Sequence, residues 1–261
     1  ISGEELWVID GFAMKIEIFR FDTGRYVYKR TLNFEERKLL GEILHIDENQ
    51  AFLKNQVIFF AAEREHPSET AISVVDKDGK VLKDTLFTIP INEFVADGSG
   101  QLLIVGKPFG IGTLITAGYE GEFYTLRTDS LRADYFDGNG ERHSLFSWRV
   151  KPVEITPSER DSVLNRWENP ARAELQKQLS DVKPVVNGMV VDNQGRIWLE
   201  LLAENLGHGW FAFSNGGEPL LHIEIPEAGA NLRDINDDIL YYDYLNQSGA
   251  PTIAVSKMIL E

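Results

Sequence analysis

The sequence contains no cysteine, so a disulfide framework, a cysteine zinc site and a thiol nucleophile are all excluded. Basic residues are also few, because 26 Lys and Arg stand against 41 Asp and Glu and give a formal net charge of −15. This balance argues against nucleic-acid binding, since phosphate backbones are bound by clusters of Lys and Arg. No apolar run reaches about 18 residues, so we predict no membrane-spanning helix.

The sequence also lacks the short motifs of common catalytic and nucleotide-binding sites. It has no P-loop, no GxGxxG, no HExxH and no GxSxG. No two of its histidines have the three- or four-residue spacing of a metal-binding pair. An EF-hand loop starting at Asp76 is excluded, because its twelfth residue would be Phe87 instead of a glutamate. These absences favour a protein that is not an enzyme.

Short β-like runs separated by acidic and glycine-containing turns are the strongest pattern that the sequence does contain. The turn DKDGK at 76–80 recurs as DGNGE at 137–141 and as SNGGE at 214–218. An Asp or Ser that opens such a turn bonds nearby backbone amides, and Gly accepts the positive φ that closes it. Self-similar units of about 40 to 50 residues indicate a β-propeller, in which each unit forms one blade. The predicted fold class is therefore all-β.

The spacing of apolar landmarks on the second strands predicts the number of blades. The landmarks are Trp7, Ile58, Leu103, Tyr124, Trp198 and Tyr241. Three of the five gaps between them fit one four-stranded blade each, and a fourth gap contains an insertion. The remaining gap is too short for a blade, so residues 94–109 form either a degenerate blade or an outer strand. We predict a six-bladed propeller in a single domain, residues 1–261, with five blades or an incomplete ring as alternatives.

A short helical insertion is predicted at residues 156–182. Thr156 and Glu159 have the spacing of a capping box at the start of a first helix. Leu175 and Leu179 lie four residues apart and share one face of a second helix. The insertion either covers apolar surface of the propeller or acts as a lid or a docking element for a partner.

Two parts of the chain resemble NHL-type repeats. One combines LWVID at 6–10 with KIEIF at 15–19 and DTGRY at 22–26, and the other is VDNQGRIW at 191–198. The order of parts is similar to that of poorly characterised bacterial six-bladed β-propeller proteins with NHL-like or TolB-like repeats. This resemblance implies a periplasmic or extracellular location, so we expect a signal or a lipid anchor upstream of Ile1.

A repeat fold without a complete catalytic motif leads to our main functional hypothesis. We expect a non-enzymatic binding or assembly module, an extracytoplasmic propeller subunit that contacts a protein partner and needs no cofactor. Large aromatic side chains often carry such contacts. The candidate partner-binding residues are Trp148, Trp167, Trp198 and Trp210. The alternative interpretation is that aromatic residues of this kind pack between neighbouring blades.

The alternative function is a metal-dependent hydrolase or lactonase with carboxylates at the mouth of the propeller channel. Propellers bind ligands at the central channel or on the rim of one face, and gluconolactonase-like propellers use a channel metal. Calcium or another divalent ion would take oxygen ligands from aspartates near strand ends. The candidate ligands are Asp10, Asp97, Asp192 and Asp234. In ordinary hairpins, however, such aspartates bond turn amides instead.

Overall fold

The structure is a computed structural model in which antiparallel sheets are built from consecutive strands, as in propeller blades. It describes residues 5–10, 15–33, 41–47, 49–55, 69–96, 104–167, 171–203, 207–225, 227 and 229–258. Five sheets of three or four strands and one two-stranded ribbon lie within these residues. The all-β propeller fold is thus confirmed.

The chain divides into two compact units. Unit 1 comprises residues 1–91 and 139–141, and unit 2 comprises residues 92–138 and 142–261. Unit 1 contains a three-stranded and a four-stranded sheet, in the orders β1-β2-β3 and β4-β5-β6-β7. These strands are β1 (Glu5–Asp10), β2 (Lys15–Asp22), β3 (Arg25–Asn33), β4 (Gly41–Ile46), β5 (Gln50–Asn55), β6 (Glu69–Asp76) and β7 (Val81–Pro90).

The two sheets of unit 1 share one apolar core. Trp7, Ile16 and Ile18 of the first sheet pack with Leu53 and Val75 of the second, and all five are buried. The buried Ile16 and Ile18 alternate with the half-buried Lys15 and Glu17, since neighbouring side chains on a strand face opposite sides of the sheet. The inward-facing residues therefore hold this pair of blades together.

Unit 2 contains a ribbon, two four-stranded sheets, a three-stranded sheet and both helices, and its sheets also follow chain order. The ribbon and first sheet are β8 (Phe94–Ala96), β9 (Ile104–Gly106), β10 (Thr113–Ala117), β11 (Phe123–Arg127), β12 (Leu131–Phe136) and β13 (Arg142–Trp148). The helices are α1 (Pro157–Leu164) and α2 (Ala171–Gln178). The last two sheets are β14 (Val186–Val191), β15 (Ile197–Ala203), β16 (Gly207–Phe213), β17 (Pro219–Ile223), β18 (Asn231–Asn236), β19 (Ile239–Leu245) and β20 (Pro251–Lys257).

Five sheets form blades within the described residues, so the prediction of six is wrong and the alternative of five is confirmed. In the segment expected to form a further blade, the described residues contribute β8 and β9, two strands of three residues each. Strands of globular proteins usually have about five or six residues. The short landmark gap before Tyr124 therefore leaves no room for four strands and the turns that join them.

Four turns repeat one hydrogen-bond pattern. In each turn the amide of the glycine three residues on donates to the main-chain oxygen of the opening residue. The side-chain oxygen of the opening residue also accepts from an amide four residues on. The opening residues are Asp76, Asp192, Ser214 and Asn246. All four closing glycines have positive φ, between 73° and 82°, which confirms the predicted turn chemistry.

The helical insertion is present as predicted. The Thr156 side chain accepts from the Glu159 amide, and the Glu159 side chain accepts from the Thr156 amide, so the capping box is complete. Leu164, Leu175 and Leu179 are buried together, and Phe109 packs against them. The insertion thus forms a small apolar cluster of its own, which Phe109 joins. Among the described helices, none combines the length and the apolar character needed to cross a membrane.

Candidate binding sites

A cavity of about 350 Å³ lies in unit 2, where the connecting segments lead into β10 and β14. Ligand sites of propellers are found at this kind of position, on one face near the innermost strands. The lining residues are Asn92, Glu93, Gly106, Lys107, Phe109, Gly110, Ile111, Gly112, Thr113, Leu114, Thr128, Lys183, Pro184, Val186, Asn187 and Leu202. Among them are two lysines, one carboxylate and several apolar side chains.

The glycine-rich segment 106–112 forms one wall of the cavity, and two of its glycines are required by close contacts. A Cβ atom on Gly112 would lie 2.6 Å from the Asn92 side-chain oxygen, and one on Gly110 would lie 2.7 Å from the Lys107 carbonyl oxygen. The Gly112 amide donates to the Thr128 hydroxyl at 2.8 Å. Any side chain at these positions would push the wall away from its partners.

Phe109 joins the cavity wall to the insertion. The Gly110 amide donates to the Lys107 carbonyl at 2.9 Å, which closes a turn with Phe109 in its third position. The φ of Phe109 is +55°, a value that type II turns require there and that glycine normally supplies. The side chain of Phe109 packs against the helices, and this packing offsets the backbone strain.

Glu93 is held as a carboxylate by two donors. Its Oε2 accepts from the Lys107 ammonium at 3.0 Å and from the Ile111 amide at 3.0 Å. Burial alone would raise the pKa of Glu93, but these hydrogen bonds outweigh burial and lower that pKa. Glu93 is therefore ionised at neutral pH and is not suited to act as a general acid.

Lys183 links the cavity to the insertion through an ion pair with Glu159. The Lys183 ammonium donates to Glu159 Oε1 at 2.6 Å. This hydrogen bond, together with those from Thr156, lowers the pKa of Glu159 to about 2. The capping glutamate therefore ties the start of α1 to the chain that enters β14.

We expect acid to loosen the start of the insertion. Because the pKa of Glu159 is lowered in the folded chain, the contact stabilises the fold above the ordinary pKa of 4.5 and is lost as the pH falls to about 2. The measurement is a pH titration of Trp167 emission, taken as the difference from Trp167→Phe. Glu159→Gln should remove this transition, and an unchanged midpoint in that variant would contradict the assignment.

A second candidate site is the open sheet, which we define as β18, β19 and β20. One of its faces packs through Leu232, Ile235 and Tyr242 against Trp198 and Trp210 of the preceding sheet. Its other face exposes large apolar side chains. These are Leu245, Ile253 and Val255, which are 67%, 83% and 60% exposed. Strand β20 is also the outer strand of this sheet and pairs only with β19 among the described strands.

Asp192, a predicted metal ligand, is fully buried and surrounded by donors. Its Oδ1 accepts from the amides of Gln194 and Arg196 at 3.0 and 2.9 Å. Its Oδ2 accepts from Arg196 Nε at 2.5 Å and from Trp198 Nε1 at 2.7 Å. This arrangement matches the alternative interpretation, in which the aspartate bonds the donors of its own turn.

The other three predicted metal ligands are Asp234, Asp10 and Asp97. Asp234 Oδ1 accepts from the Tyr119 hydroxyl at 3.1 Å and from the Ile235 amide at 2.8 Å. Burial raises the pKa of Tyr119 to about 12, and the charge of Asp234, followed by that of Asp192, adds to this effect. Asp10 belongs to unit 1, where its carboxylate lies 3.8 Å from the Lys15 ammonium. Asp97 lies outside the described residues.

The four candidate tryptophans divide into accessible and buried residues. Trp198 and Trp210 are 0% and 4% exposed and pack between two sheets, so they offer no surface to a partner. Trp148 is 43% exposed and makes an edge contact with Phe213. Trp167 is half-buried against the helical cluster. Of the four, Trp148 is the most accessible for contact with a protein.

The charged residues of the cavity are far apart in the sequence. Glu93 lies 14 residues before Lys107, and Lys183 lies beyond the insertion, so no local spacing connects the three. The folded chain brings them to the same cavity.

No protein-family model and no curated protein matches this chain. Solved structures with a similar chain trace include BamB from Moraxella catarrhalis, at 13% identity and a TM-score of 0.38, covering 98% of this chain and 62% of that one. Virginiamycin B lyase from Staphylococcus aureus has 13% identity and a TM-score of 0.38, covering 96% and 66%. A protein of unknown function from Bacteroides caccae has 10% identity and a TM-score of 0.40, covering 97% and 72%. This chain thus spans less than two thirds of the first two proteins, and similarity at this level leaves its activity open.

Proposed function

We propose that this chain is a binding module that contacts a protein partner through the open sheet. The observation that carries the proposal is the exposure of Ile253 and Val255 on β20, which are 83% and 60% exposed. Exposed apolar patches of this kind mark protein–protein contacts. Trp148, which is also exposed, is a further candidate for contact.

The occupant that fits the open sheet is an extended segment of the partner. In the part of the chain that the structure describes, three other sheets have four strands and the open sheet has three, so one further antiparallel strand beside β20 would complete the same arrangement. Natural edge strands are usually protected by charges or bulges. On β20 the only charged side chain is Lys257, which is paired with Asp238 at 3.0 Å. An added strand would bond the main chain of β20 and cover its apolar side chains.

The cavity favours binding over catalysis. Its described lining residues include one carboxylate, Glu93, and no histidine, aspartate, serine or tyrosine. General acid–base catalysis needs a group that exchanges a proton near the working pH, and Glu93 is held ionised by Lys107. The alternative of a metal-dependent hydrolase is not supported by Asp192, whose two oxygens already accept four hydrogen bonds.

The extracytoplasmic location, which the resemblance to NHL-like propellers implies, would be tested by cell fractionation.

A photo-crosslinking residue in place of Ile253 tests the proposed contact in cells that produce the protein. We expect one dominant crosslink to a different protein, lost when Val255→Lys is added and retained when Leu220→Lys is added. Leu220 is a matched control because it is also exposed and lies on an outer strand of unit 2. Crosslinking only to a second copy of this chain, or equal loss with both lysine substitutions, would overturn the proposal.

A further inference from the structure

We propose that the cavity of unit 2 binds a small amphipathic monoanion, with one carboxylate carried on an aliphatic body. This inference does not depend on the protein contact at the open sheet, because none of the cavity residues belongs to that sheet. It rests on three properties of the lining residues, which are their charge, their hydrogen-bonding groups and their apolar walls.

The local charge of the cavity differs from that of the chain. Lys107 pairs with Glu93 and Lys183 pairs with Glu159, so two positive charges balance two negative ones, whereas the whole chain carries −15. The side chains of the two lysines are only 16% and 21% exposed. Partly buried ammonium groups are screened less by water and salt than exposed ones, so they attract an anion more strongly.

The two glutamates favour a carboxylate over a phosphate dianion. A single negative charge would bond the two ammonium groups, whereas a second would add to the repulsion from the Glu93 and Glu159 carboxylates. Each lysine has three N–H donors, and its ion pair with glutamate uses one of them. Both ammonium groups therefore keep donors for a ligand oxygen without losing their present partners.

Polar and apolar groups of the lining define the rest of the ligand. The Asn92 side-chain oxygen accepts from the Thr113 amide at 3.1 Å, which assigns its NH2 group the role of a donor. Ile111, Leu114 and Leu202 supply aliphatic surface. A volume of about 350 Å³ is at the lower end of the range of small-molecule sites, about 300 to 1,000 Å³. A ligand with a short, branched apolar body would fit this volume.

A carboxylate on an aliphatic body could come from two sources, which are a free acylated amino acid and the carboxyl terminus of a polypeptide. N-acetyl-leucine represents the first and a pentapeptide ending in leucine with a free carboxylate represents the second. The matched probes are N-acetyl-leucinamide and the amidated pentapeptide, which keep the apolar body and lose the charge. Binding is measured by calorimetry and by chemical-shift changes at low salt.

We expect at least one free acid to bind about tenfold or more tightly than its amide, since a charge-assisted hydrogen bond is lost. Lys107→Gln and Lys183→Gln should each weaken binding of the acid by about tenfold. Lys177→Gln is the control, because this lysine also pairs with a glutamate but is 72% exposed on α2.

The pattern of binding identifies the source and can also refute the proposal. Tighter binding of the peptide than of N-acetyl-leucine would support capture of a polypeptide terminus, and the reverse order would support a free acid. Equal binding of acid and amide, no binding of either acid at millimolar concentration, or equal weakening by Lys177→Gln would overturn the proposal. None of these outcomes bears on crosslinking at the open sheet.

Discussion

Replacing Asp192 with alanine should lower the free energy of unfolding of unit 2 by about 3–5 kcal/mol, because one partner of a buried ion pair is removed. The carboxylate is 0% exposed and accepts two backbone amides, the Arg196 guanidinium and the Trp198 indole. Alanine would leave all four donors without this acceptor, and the Trp198 indole among them is buried. Each unsatisfied donor costs free energy, and the loss is greatest for the charged guanidinium.

Tryptophan fluorescence during urea unfolding measures this effect, since four of the five tryptophans belong to unit 2. The matched control is Asn246→Ala, which removes the same side-chain acceptor from an exposed turn. We expect it to cost about 1 kcal/mol, the usual value for an accessible hydrogen bond. Equal losses of unfolding free energy in the two variants would show that burial of the Asp192–Arg196 pair does not increase its contribution to stability.

Replacing Gly217 with alanine should cost about 2–4 kcal/mol, although the change adds a single methyl group. The φ of Gly217 is +82°, and left-handed backbone costs an L-residue about 1–2 kcal/mol. The new Cβ would also lie 2.6 Å from Cβ of Phe146, which is buried and stacks on Phe213. Overpacking of this kind costs a further 1–3 kcal/mol or so.

The neighbouring residue provides the control for this substitution. Nothing lies closer than 3.6 Å to a Cβ built on Gly216, so Gly216→Ala should change the free energy of unfolding by less than about 0.5 kcal/mol. Both variants are compared by urea unfolding followed by tryptophan fluorescence. A loss in Gly216→Ala as large as in Gly217→Ala would assign the effect to the turn as a whole instead of to the contact with Phe146.

Local features of the fold were predictable from the sequence because short-range chemistry determines them. The capping box at Thr156 and the turn that opens at Asp192 each depend on residues within four positions of one another. The blade count was less predictable, since the segment around β8 and β9 has strand-like composition but too few residues for a blade. Sequence periodicity shows that strands exist, whereas their grouping into sheets depends on chain length between them.

The candidate sites were less predictable than the fold, because the residues that meet there are far apart in the sequence. Trp198 looks like an exposed aromatic anchor in sequence, yet its indole donates to the buried Asp192 carboxylate. The pairing of Lys107 with Glu93 and of Lys183 with Glu159 spans 14 and 24 residues. Contacts over such distances follow from tertiary packing, so a single sequence does not indicate them.

The pairing of strands has a consequence for how the protein folds. Each described strand pairs only with strands that directly precede or follow it in the chain, so none of these pairings needs a strand that is distant in sequence. Loop-closure entropy is small for such local pairing, which favours rapid folding. Each sheet can therefore form as soon as its own strands have left the ribosome, and assembly during synthesis can proceed one blade at a time. Strand β20 would be among the last to form, and its edge would still be available to an incoming segment.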